Sequence, residues 1–99
     1  MKRTWKNQFT GLGADMPKIA NKLESLGFID ESWGNDICPK FFSIDLNLMV
    51  WVDYENENDR EFKIGKRFAI VAQDDDCIFE TDSFNELDEV IKKIIETKK

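Results

Sequence analysis

The sequence predicts a single α+β domain in the order α-β-β-β-β-α, a four-stranded antiparallel meander flanked by two helices. Three observations lead there. Residues 83–97 place Phe84, Leu87, Val90, Ile91, Ile94 and Ile95 on one helical stripe. Residues 48–54 alternate with the period of a strand: Leu48, Val50, Val52 and Tyr54 face one way, Met49, Trp51 and Asp53 the other. Short polar turns separate the strand-like runs, and strands joined by short connections pair as neighbours. Two amphipathic helices against one sheet make a layered domain.

Residues 1–14 read as an arm or short irregular helix that docks through Trp5 and Phe9. A helix over 15–27 follows. Asp15 suits its cap and Pro17 its first turn, with Met16, Ile19, Ala20, Leu23 and Leu26 on one stripe. Gly27 ends it in a left-handed conformation, which sets Phe28 back against Leu23. Residues 30–35 read as a loop with Gly34 and Asn35 as turn residues.

The sheet spans 37–81. Its first strand covers Cys38 to Ile44, with Pro39 at the start because proline cannot donate to a ladder. A tight turn at Asp45-Leu46-Asn47 leads to the strand from Leu48. Residues 55–60 form an acidic loop, residues 67–73 a third strand, Asp74-Asp75-Asp76 a turn, and Cys77–Thr81 a fourth strand. The last helix, 83–97, opens on a capping box of Ser83 and Glu86. Its acids lie early and its lysines late, as the helix dipole favours.

Ninety-nine residues make one domain, with little chain to frame a deep catalytic cleft. No run approaches the roughly 18 apolar residues of a membrane span, and Met1-Lys2-Arg3 lacks the apolar stretch of a signal peptide. The cytoplasm is the expected location. Cys38 and Cys77 have neither redox nor metal spacing and read as two small buried apolar residues. The net charge of −6 is concentrated in residues 28–62, which carry nine acids and two bases. Such a field repels nucleic acid and anionic membrane and attracts basic protein surfaces.

With no histidine, the chain lacks Ser-His-Asp and Cys-His nucleophile systems and His-ligated zinc. No glycine-rich phosphate loop is present. Asp74-Asp75-Asp76 fails as a calcium loop, because the positions that need Gly and Glu hold Phe79 and Asn85. No catalytic residue, cofactor or metal ligand is assigned.

Asp53, Glu55, Glu57, Asp59 and Glu61 recur at every second position. If extended, they would line one face at about 6.6 Å spacing. Such a line could seat on a basic cleft or imitate a nucleic-acid backbone; as a plain loop it would only keep the chain soluble. Trp33, beside Gly34 and Asn35, is a candidate anchor, since Trp is enriched at interface hot spots. Met49 and Trp51 are better candidates. If one helix covers each face of the sheet they are core; if both helices share a face, they lie on an open apolar patch, a recognition surface.

These features point to a non-catalytic binding protein that blocks a basic partner stoichiometrically. Its candidate contacts are Trp51, Met49, Trp33, Asp53, Glu55, Glu57 and Asp59. The alternatives are a carboxylate-metal enzyme or small-ligand binder built on residues 53–61, and a domain that homodimerises through the sheet face.

Overall fold

The computed structural model describes residues 4–32, 38–60, 66–72 and 76–97. Among these, the helices are α1 (Trp5–Gln8), α2 (Met16–Ser25) and α3 (Phe84–Thr97). The strands are β1 (Ile29–Asp30), β2 (Lys40–Ser43), β3 (Leu48–Val52), β4 (Phe68–Ala72) and β5 (Cys77–Thr81). They form one antiparallel sheet in the order β1-β2-β3-β4-β5.

The sheet thus has five strands where the sequence predicts four. The additional one, β1, is two residues long, too short to display alternation, and Ile29 and Asp30 pair with Phe42 and Phe41. It occupies the start of the expected loop. The polar side chain of Asp30 explains its place in a strand. Its carboxylate is buried and accepts from the Ser32 N–H at 3.1 Å, the Ser32 hydroxyl at 2.7 Å and the Trp5 N–H at 2.9 Å. The last bond satisfies an orphan donor of α1 from a distant strand and ties the N-terminal arm to the sheet edge. Phe9 behind it is buried, and Trp5 packs against the core.

Both ends of α2 have a physical cause. At its C-terminus the Gly27 N–H bonds to the Glu24 carbonyl and the Phe28 N–H to the Leu23 carbonyl, each at 3.0 Å, with Gly27 at φ +94°. This is a Schellman closure, and a left-handed φ is what glycine permits. At its N-terminus the expected cap is absent. Asp15 makes no side-chain capping bond, because its carboxylate is committed to Arg67. A two-point bond to a guanidinium outweighs one to a neutral N–H. At α3, the Ser83 hydroxyl accepts from the Glu86 N–H at 3.3 Å. Lys98 and Lys99 lie outside the described residues.

Burial alternates as strand geometry requires. On β3, Leu48, Val50 and Val52 are buried while Met49 and Trp51 are partly exposed. The core joins Phe41, Val50, Val52, Phe68 and Ile70 of the sheet to Met16, Ile19 and Leu23 of α2 and Leu87 and Ile91 of α3. Both long helices therefore share one face of the sheet.

Ile91 is 1% exposed and Ile44, in the β2–β3 turn, 74%. Ile91→Ala is expected to cost about 2–5 kcal/mol in a urea titration, from lost transfer and the cavity left behind. Ile44→Ala should stay within about 0.5 kcal/mol. Equal effects would contradict the packing of α3 described here.

Candidate functional site

The face opposite the helices is built from the residues that the core leaves out. Phe42 on β2 pairs with Met49 on β3, Met49 with Val71 on β4, and Val71 with Cys77 on β5. The neighbouring row runs Lys40, Trp51, Ala69, Glu80 across the same strands. None of these side chains belongs to the core cluster. Among the described residues no helix lies over them. The Lys40 ammonium stands 5.7 Å from the centre of the Trp51 ring, a cation–π contact on the solvent side. At the margins Ile29 is 48% exposed and Ile78, the extra residue at the β4–β5 bulge, 53%.

Met49 and Trp51 are thus brought together, each partly exposed, on a face that no helix among the described residues covers, although the neighbouring Val71 is buried. Trp33 lies outside the described residues, as do Glu61, Asp74 and Asp75. Of the cysteines, Cys38 is buried as expected, but Cys77 is exposed, and neither is joined in a disulfide. Cys77 opens β5, paired with Val71 at the bulge.

The acidic segment follows β3 directly, at one end of the sheet. It is not extended. Glu57–Asp59 forms a 3₁₀ turn capped by the Asn56 side chain, which accepts from the Asn58 N–H at 3.0 Å. With three residues per turn, alternate side chains no longer share a face. The regular line of charge that would imitate a nucleic-acid backbone is therefore not formed. Glu55, Glu57 and Asp59 are nevertheless all exposed, while Asp53 is partly buried and accepts from the Tyr54 N–H at 2.8 Å. Burial pushes the Tyr54 phenol up, and the Asp53 carboxylate adds to the effect.

Two buried arginines, which no sequence pattern singled out, fix this segment. Arg60 turns inward. Its Nε donates to the Tyr54 carbonyl at 2.6 Å, its Nη2 to the Glu55 carbonyl at 3.3 Å, and its Nη1 lies 3.5 Å from the Asp82 carboxylate. Its donors are divided between the segment's own backbone and the Asp82 carboxylate. Arg67 holds Asp15 through two nitrogens at 2.9 Å each and donates from Nε to the Asp53 carbonyl at 3.1 Å and from Nη2 to the Leu12 carbonyl at 3.3 Å. The N-terminal loop is thereby pressed onto the acidic segment, and the Glu55 N–H bonds to the Leu12 carbonyl at 3.0 Å. Gly13 permits the approach: at φ +133°, a Cβ would stand 2.6 Å from Glu55 Oε2.

A second concavity, an open groove of about 620 Å³, runs between α2 and α3, lined by Lys18, Ile19, Lys22, Phe84 and Asp88 among others. Charges of both signs rim it. Among the described residues, no three His, Cys, Asp or Glu side chains converge to hold a metal, and no helix is long and apolar enough to cross a membrane. No family model, curated protein or solved structure matches the chain.

The Arg67 clamp carries a pH dependence. Hydrogen bonds from Arg67 hold the Asp15 carboxyl below its ordinary value of 3.8, against the opposing effect of burial. The Arg67 backbone N–H, with smaller help from Lys66 and Arg60, does the same for Asp82. Carboxylates whose pKa falls on folding stabilise the native state above the unfolded value and lose that contribution as pH drops through 3.8 and below. Thermal melts should therefore show Tm falling less steeply for Asp15→Asn than for the parent across that interval. Parallel profiles would mean that the ion pair contributes nothing.

Proposed function

We propose that this chain is a small acidic binding protein that acts by stoichiometric contact with a basic surface of another protein, as inhibitors do. One observation carries the reading: a sheet face opposite the helices that carries the partly exposed Trp51 and Met49, on a strand that runs directly into exposed acids. A buried aromatic anchor supplies most of the affinity at such interfaces, and charged neighbours supply rate and selectivity. Trp51 and Met49 take the first role; Asp53, Glu55, Glu57 and Asp59 take the second. Immunity proteins and phage anti-defence inhibitors combine small size, acidity and absence of catalysis in this way, a comparison of classes by analogy only. The cytoplasm is the proposed place of action.

The test is capture from the native host followed by calorimetry on the purified captured protein. A 1:1 complex is expected. Trp51→Ala should weaken it by about 2 kcal/mol or more while the fold persists, because Trp51 stands outside the core. Neutralising Glu55, Glu57 and Asp59 to Gln, Gln and Asn should slow association and flatten its salt dependence with little change in stability. Binding that ignores both changes would exclude this surface.

A further inference from the structure

The sheet ends on one side in β1, two residues long, and on the other in β5, five residues long. Native edges are blunted by shortness, by lysine, by proline or by a bulge. β1 uses the first device. β5 has only the last: its bulge falls at Ile78 and leaves Phe79, Glu80 and Thr81 regular, with Ile78 and Glu80 exposed. The direction of its backbone groups follows from two bonds. The Asp53 N–H bonds to the Arg67 carbonyl, so alternation turns Trp51 and Ala69 toward each other and Phe68 and Ile70 toward β5. The bond from the Ala72 N–H to the Asp76 carbonyl fits the same alternation. Thr81 and Phe79, opposite Phe68 and Ile70, therefore face β4, and Glu80, opposite Ala69, turns its N–H and C=O to the open edge. Among the described residues no strand lies beyond it.

The charge of this edge selects its occupant. From Asp76 to Asp82 the chain holds three acids and no base. Asp82 is engaged by Arg60, Lys66 and the Arg67 N–H. Asp76 and Glu80 are exposed, and among the described residues the Glu80 carboxylate meets only the Cys77 thiol, at 3.4 Å. A second β5 is a poor occupant, because no register of this stretch against itself sets an acid opposite a base. We propose that the edge of β5 takes an extended basic segment of a partner protein as an added antiparallel strand. The proposal rests on the reading of this chain as a binder of a basic partner, and gives that partner a backbone contact.

The pairing fixes the pattern of the added strand. Residues opposite each other at a hydrogen-bonded position exchange both bonds, so the residue opposite Glu80 binds it twice through the backbone. Its side chain stands on the same face as that of Glu80, and a Lys or Arg there meets the carboxylate. The residues to either side point to the other face, beside Phe79, which packs partly buried against the core; apolar side chains suit that place. The segment therefore alternates basic and apolar residues. The regular edge is short, so few bonds form and the dissociation constant of a free peptide falls between about 10 µM and 1 mM.

The probe is a capped peptide of alternating Lys and Val, titrated into the isotope-labelled chain and followed by NMR. Half-saturation below about 1 mM is expected. The Glu80 amide should gain protection against solvent exchange, while the Phe79 and Thr81 amides, already turned to β4, change little. N-methylation of the Lys amides should abolish binding, and N-methylation of the Val amides should leave it within about threefold, because only the Lys amides face β5. Glu80→Lys, melting as the parent does, should weaken this peptide at least about tenfold and bind its counterpart of alternating Glu and Val instead. Failure to saturate, binding without protection at Glu80, or equal effects of the two methylations overturns the proposal. The peptide makes no test of Trp51, so its failure leaves the sheet face as a contact surface standing. Capture that ignores Trp51→Ala removes that face and leaves the edge.

Discussion

A sheet has two faces, and this chain stacks its long helices on one of them. Every other feature of the molecule follows from that placement. The core is a single layer of side chains between the helices and Phe41, Val50, Val52, Phe68 and Ile70. An antiparallel sheet tolerates such one-sided burial, because its other face can meet water when the alternate residues are polar. Here, beside the buried Val71 and the charged Lys40 and Glu80, Phe42, Met49, Trp51 and Ala69 are partly exposed. Folding itself does not require them to be apolar. Their cost in exposed surface is the strongest physical reason to assign this face a contact in another molecule.

The second constraint is the buried charge at the end of β3. Arg67 is 6% exposed, and its donors reach Asp15, Leu12 and Asp53, so one side chain joins the N-terminal loop to the sheet. An unpaired guanidinium there would be prohibitively expensive. Paired on several sides, it imposes one arrangement on a region with no regular structure of its own. Arg60 does the same for the acidic turn. Both positive charges face inward, while Glu55, Glu57 and Asp59 face out.

Periodicity made most of the fold legible. The α3 stripe, the alternation of β3 and the glycine stop of α2 each depend on residues near one another in sequence, and the structure reproduces each of them. What was not legible depended on distant partners. Asp15 is a good cap by type, yet its partner lies 52 positions away and wins the carboxylate. Asp30 reads as a loop residue until Trp5 and Ser32 are seen around it. The two arginines carry no local signal. For Trp51, alternation established only that it opposes Val50. Whether that side was core or open turned on which face α3 chose, and amphipathic stripes do not encode that choice.

Glu55, Glu57 and Asp59 stand exposed on one short turn and repel one another, and the buried Arg60 holds the turn against that repulsion by donating to the Tyr54 and Glu55 carbonyls. Salt screens charges in solvent over a Debye length of about 8 Å and acts far less on buried donors. The turn therefore keeps its shape at low ionic strength, where its acids repel most and where, on the proposed function, they would draw a basic partner best.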